Sequence, residues 1–282
     1  MSYPYFFISP ENINENNIEI FSDDLKHLSK VLRSKAGDKV EVSDNYKYRY
    51  LTEIINIKKD KAVLKILKKL EIKKNAIKIF LFQCILKRSS MEFVIQKATE
   101  IGLDAVIPVK SKRIVVNEKY DNQKLSRWNK IALEASKQSK RNFKCEILNE
   151  FTINDVNPQE FDIFFVPYEK INPLEIKNKN IIDNLKYILK NYIKNNKLTK
   201  TPIIFSETAD NNKVLLNPEL NYDNNLKIGF IIGPEGGFEE KEVDDLINKG
   251  ATPVSLGSNI LKAETAAMFM SSIIKYTVEA YE

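Results

Sequence analysis

The chain has 282 residues, 43% of them apolar and 29% charged, with a net charge of +6, which is material for one large or two ordinary domains. A single histidine, His27, and two cysteines, Cys84 and Cys145, exclude zinc fingers, HExxH metalloproteases and a disulfide framework, so no metal is expected. No apolar run approaches the roughly 18–20 residues of a membrane span, and MSYPYFFISPENINENN lacks the basic start of a signal peptide, so the cytosol is the expected compartment.

In chain order, Ser22, Asp23 or Asp24 caps a predicted helix carrying Leu25, Leu28, Val31 and Leu32 on one face. Gly37-Asp38 makes a turn. Lys39–Val42, Tyr50–Ile57 and Lys61–Leu67 alternate as strands, so residues 1–72 read as a small, mostly β barrel module. The basic stretch Lys68–Asn75 is the expected boundary. From Ile77 the rhythm becomes strand–helix–strand: an apolar strand to Leu86, a helix with Ser89 as N-cap and Glu92 closing a capping box, Gly102 at its end, and a strand at Ala105–Val109. That spacing implies parallel pairing and an α/β layer. A helix over Gln123–Lys140 buries Leu125, Trp128, Ala132 and Ala135. Strands follow at 161–166, Pro202–Ser206 and Ile228–Ile232, then a helix over Glu239–Asn248, a strand at Pro253–Leu256 and a last helix over Glu264–Tyr281. Residues 171–201 carry a helical stripe (Ile182, Leu185, Ile188, Leu189, Ile193) and read as a local helical insertion without chemistry.

Glycine is scarce, yet six of the eight lie between Gly229 and Gly257. Glycine serves positive φ or close backbone approach to a ligand, so this stretch is the candidate site. Three strand ends carry unusual loops there: Ser206-Glu207-Thr208, Gly233-Pro234-Glu235-Gly236-Gly237, and Gly257 to Thr265. In an open α/β sheet, ligands bind beyond the carboxyl ends of the strands. The loops match neither GxGxxG nor a P-loop. Charge is uneven: +2 over residues 1–72, +11 over 73–145 and −7 over 146–282. A basic middle segment suits a phosphate-rich partner, or a merely solvated lysine surface.

GPEGGF, SLGSNILKAETAAM, MEFVIQKATEIGLDAVIPV with SKR, and EASKQSKR resemble the RsmE family, bacterial 16S ribosomal RNA uracil-N3 methyltransferases of the SPOUT class. HLSKVLR followed by GDKVEV resembles that family's PUA-like RNA-binding domain. The resemblance implies an α/β fold with a SPOUT-type trefoil-knotted parallel-sheet domain over 73–282, a PUA-like β-barrel over 1–72, a homodimer, and S-adenosylmethionine as cofactor. It implies a cofactor pocket of Ser206, Glu207, Ile232, Gly233, Pro234, Glu235, Gly236, Leu256, Gly257, Ile260 and Leu261, in which Gly236→Val would abolish binding. It implies 16S ribosomal RNA or the small subunit as partner, met by Arg33, Lys87, Arg88, Arg113 and Arg141. The chain departs from the pattern at Asn259 and Lys262, where the family usually has Arg, and at Arg88 and Ser90, where it usually has Gly and a basic residue. Lys262 keeps the charge but loses the planar fork.

Methylating an imide nitrogen requires loss of its proton and stabilisation of the anion that forms. Lys262 or Arg113 would supply the cation. Glu264 or Glu235 would be the base, or else a structural cap. His27 lies in the other domain and is RNA-facing or structural. Two further readings stand beside this one: a knotted methyltransferase acting on another RNA atom such as ribose 2′-O, and a non-catalytic RNA-binding or assembly factor.

Overall fold

The computed structural model describes residues 3–73, 75–114, 121–170, 181–195 and 225–280. Two compact units emerge: Met1–Lys74 with Ser136–Lys144, and Asn75–Ala135 with Cys145–Glu282.

The first unit is a curled five-stranded sheet among the described residues. Its strands are β1 (Tyr5–Phe7), β2 (Asn17–Ile20), β3 (Lys39–Ser43), β4 (Tyr48–Ile57) and β5 (Ala62–Glu71), in the order β1-β3-β4-β5-β2. The pattern of β2, β4 and the start of β5 turns Ile18, Ile20, Tyr50, Ile54 and Leu64 inward, as a sheet with one wet face requires. Helix α1 (Ser22–Lys26) runs into a π-helical turn at His27–Val31. The expected helix face is broken there. Leu25 and Leu28 are buried, but Val31 and Leu32 are exposed, because the wider π turn shifts the register of the stripe. His27 packs its ring edge-on against Phe6.

The segment 136–144 is tied into this unit by polar contacts. Ser43 Oγ donates to the Asn142 carbonyl at 2.8 Å and the Tyr5 hydroxyl to the Arg141 carbonyl at 2.6 Å. The Lys144 backbone N–H donates to Asn45 Oδ1 at 2.7 Å. Lys137 Nζ lies 2.8 Å from Asp24 Oδ1, and Lys140 Nζ 2.9 Å from Glu41 Oε2.

The second unit is built on a parallel sheet of seven strands among the described residues. These are β6 (Ile77–Cys84), β7 (Ala105–Lys110), β8 (Glu146–Ile147), β9 (Phe151–Thr152), β10 (Ile163–Pro167), β11 (Leu226–Ile232) and β12 (Thr252–Val254). The order is β12-β10-β11-β6-β7-β8, with β9 also on β7. All of β6 is buried, which explains its near-continuous apolar run. One face is covered by α2 (Arg88–Ile101), α3 (Asn122–Gln138), α4 (Ile181–Asn195) and α6 (Ala263–Glu279), the other by α5 (Glu240–Asn248).

Several local expectations shift. Helix α2 begins at Arg88 with Lys87 as N-cap and no side-chain cap bond, because Glu92 is engaged by arginines instead of closing a capping box. Its end is as expected, with Gly102 at φ 110°. Pro108 lies inside β7, which runs one residue further than expected, to Lys110. The helix within 171–201 is α4, and it is no surface elaboration. Leu185 and Leu189 are buried in the main core, because the apolar stripe of α4 faces the sheet layer and α6. The expected strand Pro202–Ser206 lies outside the described residues.

Cys84 and Cys145 are both buried, and neither is in a disulfide. Burial pushes the Cys84 thiol up to about 12. Thiolate is the reactive form, so iodoacetamide at about pH 8 is expected to leave Cys84 unmodified in the native fold and to alkylate it after denaturation. Mass spectrometry of the labelled peptide checks this. No described helix is long and apolar enough to cross a membrane.

Candidate active site

Four strands, β6, β10, β11 and β12, deliver their carboxyl ends to one cavity of about 610 Å³ within the second unit. From β11 come Ile232 and the turn Gly233-Pro234-Glu235-Gly236-Gly237. From β12 comes the loop Ser255 to Lys262, and from the start of α6 comes Glu264. This is where an open parallel sheet places its ligands. The chain makes those loops for identifiable reasons. Pro234 stiffens the turn after an apolar strand, and Glu239 and Glu242 form a capping box that opens α5.

The glycine cluster divides by role. A Cβ on Gly229 would lie 2.5 Å from the Phe164 ring, so that glycine serves sheet packing. Gly257 adopts φ +114° with nothing within 4 Å of where a Cβ would stand, which leaves open space on the cavity wall. A Cβ on Gly236 would meet the Arg113 carbonyl oxygen at 3.1 Å. Gly236→Val would therefore press on the backbone of Arg113 while standing on the cavity wall.

Polar contacts fasten the loops to the first turn of α2. Glu235 Oε1 accepts the Lys87 backbone N–H at 3.0 Å, and Ser90 Oγ donates to Glu264 Oε1. The Ser90 hydroxyl, with the Glu264 backbone N–H and the Lys262 charge, holds the Glu264 carboxyl below its usual range. Lys262 is the N-cap residue of α6 and is exposed on the cavity wall.

Of the residues singled out from sequence, Ile232, Gly233, Pro234, Glu235, Gly236, Leu256, Gly257, Ile260, Leu261, Lys262, Glu264 and Lys87 line this cavity. Ile260 does so while 86% exposed. Ser206 and Glu207 lie outside the described residues. Arg113 is beside Gly236 but is not part of the lining. Arg88 faces a different depression, with Glu92 and Arg127. Arg33 and Arg141 belong to the first unit, where Arg141 Nε donates to the Phe143 carbonyl at 3.0 Å. Sequence reasoning missed Tyr168 and Glu169, which follow β10, and Ser90 and Phe238. The strand at 161–166 was legible, so the carboxyl-end rule already pointed to Tyr168 and Glu169. Ser90 had no such signal, since its partner lies 174 residues away.

Comparison with known proteins places this architecture. A family model described as an RNA methyltransferase domain matches residues 73–189 and 180–275, and one described as an RNA methyltransferase PUA domain matches residues 22–67. Ribosomal RNA small subunit methyltransferase E of Buchnera aphidicola subsp. Schizaphis graminum is 30% identical over 247 residues, 86% of this chain and 83% of that protein. The chain belongs to the ribosomal RNA small subunit methyltransferase E family. The family member from Bacillus subtilis is 26% identical over 265 residues, covering 92% of this chain and 90% of that one. A crystal structure of the family member from Neisseria gonorrhoeae, bound to S-adenosyl methionine, superposes with a TM-score of 0.71 at 22% identity, covering 98% of each chain. At that identity the likeness speaks for the fold alone: a parallel α/β domain in one chain with a PUA-type β domain.

Proposed function

We propose that the chain transfers the methyl group of S-adenosylmethionine to N3 of a uridine in small-subunit (16S) ribosomal RNA. Membership of the family makes it an S-adenosylmethionine-dependent methyltransferase of ribosomal RNA; the atom methylated is the further step. The observation that carries the reading is the cavity at the carboxyl ends of β10, β11, β12 and β6, walled by the GPEGG turn and the Ser255–Lys262 loop.

The residues present suit the cofactor. Ile232, Leu256 and Leu261 offer an apolar wall beside backbone groups, as a planar adenine needs, and the open space at Gly257 gives it room. Glu169, Glu235 and Glu264 supply negative charge on the lining, which suits a ligand carrying sulfonium and ammonium groups. When bound, S-adenosylmethionine supplies an electrophilic methyl group. The chain's own part is to hold an unstacked uridine with N3 in line with that methyl, and to stabilise the imide anion once its proton has left. Lys262, on the wall where Arg113 is not, fits that electrostatic role. Glu264 fits an anchoring role better than that of a base, because a carboxylate held below its usual range is a weak proton acceptor. Lys87 on the rim, and Arg33, Arg88, Arg113 and Arg141, remain the proposed phosphate contacts.

The decisive measurement is mass spectrometry of nucleosides from small-subunit RNA of a strain lacking the gene. 3-Methyluridine is expected to disappear and to return with the wild-type chain. A loss of 2′-O-methyluridine instead would overturn the choice of N3.

We also read the chain as a homodimer. On the last helix, α6, Ile274 and Thr277 are buried within the unit, and Met268 and Ile273 are partly buried. The outer face of α6 instead presents Phe269, 42% exposed, and Tyr276, 77% exposed, two helical turns apart. Light scattering at micromolar concentration is expected to give the dimer mass for the wild type and the monomer mass for Phe269→Asp/Tyr276→Asp. A monomeric wild type would overturn the proposal.

A further inference from the structure

A second depression, about 350 Å³, opens in the same α/β unit between the first turns of α2 and α3. It shares no lining residue with the cofactor cavity, yet the two flank one turn of helix: Lys87 and Ser90 face the first, Arg88 and Glu92 the second. Glu92 accepts Arg127 Nε at 2.6 Å and Nη2 at 2.8 Å, and Arg88 Nε at 3.1 Å. The Arg127 hydrogen bonds keep that carboxyl below its usual range, so it stays ionised at neutral pH. One carboxylate thus orients two guanidinia side by side. It occupies one edge of the Arg127 fork and leaves the other edge for a ligand. Lys124 adds a third cation, while the Asp121 carboxylate is engaged by the Lys124 backbone N–H at 2.8 Å. The start of α3 adds its own positive end. The wall behind these charges is apolar, formed by Ile85, Leu86 and Trp128.

We propose that this depression is a second RNA subsite, taking one nucleotide of the substrate strand with its phosphate on Arg88 and Arg127 and its base against Ile85, over the buried Leu86 and Trp128. The proposal rests on the methyltransferase reading above. A base presented to the cofactor must leave its stack, and its strand must then be held by contacts that read backbone and base face rather than sequence. A paired-arginine pocket one helical turn from the cofactor cavity meets that need. A purely structural ion-pair cluster would need neither the cavity nor the apolar wall.

Trp128 is the chain's only tryptophan, so intrinsic fluorescence reports on this depression. A uridine-containing single-stranded RNA oligonucleotide, titrated into the full chain with saturating S-adenosylmethionine, is expected to change the Trp128 emission saturably. Arg127→Ala is expected to weaken the apparent affinity about tenfold and to lower the log–log salt slope by about one, with S-adenosylmethionine affinity unchanged. Arg88→Ala, at a more exposed side chain, is expected to do the same to a smaller degree and covers the case in which Arg127→Ala fails to fold. Uridine 5′-monophosphate is expected to compete better than inorganic phosphate. Equal competition would reduce the depression to an anion site and overturn the nucleotide assignment. Unchanged emission, or both variants matching wild type in affinity and slope, would overturn the subsite. If the wild type still methylates small-subunit RNA with a KM equal to that of both variants, only the subsite fails. A wild type that neither binds nor methylates that RNA would sink the methyltransferase reading itself.

Discussion

Gly257→Val is expected to lower S-adenosylmethionine affinity by about 100-fold while leaving the fold intact. Gly257 has φ +114°, and a Cβ there would touch nothing within 4 Å. No core atom is displaced by the new side chain, so the thermal midpoint is expected to move little. The cost falls on the loop. A β-branched residue at that φ is a conformational outlier, worth about 1–3 kcal/mol of strain. The loop escapes the strain by changing shape, and its shape is the cavity wall between Leu256 and Leu261. Loss of about 2.8 kcal/mol corresponds to 100-fold in the dissociation constant. Titration calorimetry with S-adenosylmethionine, paired with a thermal melt, separates the two effects. Wild-type affinity in a folded Gly257→Val protein would show that the cofactor lies elsewhere. Gly236→Val is the poorer probe, because strain against the Arg113 backbone would mix folding with binding.

Asp104→Ala is expected to cost about 3–5 kcal/mol of stability, the largest single effect of a substitution away from the site. Asp104 Oδ1 lies 2.7 Å from Lys78 Nζ, and Oδ2 accepts the Ile79 backbone N–H at 2.9 Å. Asp104 is 6% exposed and Lys78 9%. Removing the carboxylate takes the ion-pair partner from a buried ammonium at the base of the central strand β6 and deprives a buried N–H of its acceptor. Asp104→Asn keeps an acceptor for Ile79 and is expected to lose less. The double replacement Lys78→Met/Asp104→Leu is expected to recover a large part of the loss, since no charge is then buried. Urea denaturation of the three variants against wild type tests the ordering. An Asp104→Ala protein as stable as Lys78→Met/Asp104→Leu would mean that the pair is solvated in practice.

The charge distribution shows where counting along a chain stops being informative. The +11 segment suggests a broad phosphate-facing surface, yet several of its cations are matched inside the fold. Lys78 pairs with Asp104, Arg127 with Glu92, Lys137 with Asp24 and Lys140 with Glu41. Two of these pairs join residues about a hundred or more positions apart. Lys137 and Lys140 also belong with the N-terminal unit, not with the sheet unit that surrounds them in sequence. A net charge is additive over residues, whereas the charge left for a partner depends on pairing in space.

What the sequence determines by itself is what short-range physics writes into it. Apolar runs such as Ile77–Leu86 and Ile228–Ile232 read as buried strands, and the strands found there, Ile77–Cys84 and Leu226–Ile232, are buried almost throughout. The GPEGG turn and the Gly257 loop, where the scarce glycines gather, line the same cavity, and Gly237 and Gly257 adopt positive φ there. What the tertiary structure alone decides is which distant groups meet. Ser90 becomes the partner of Glu264, 174 residues away in the chain. The stripe of α4 becomes core rather than ornament, because α6 lies against it. Arg88, next to Lys87 in the chain, faces a different cavity, because the start of α3, with Lys124 and Arg127, packs beside it and not beside Lys87. Each of these depends on contacts between residues far apart in sequence or on the direction of a side chain, and neither is encoded in local spacing.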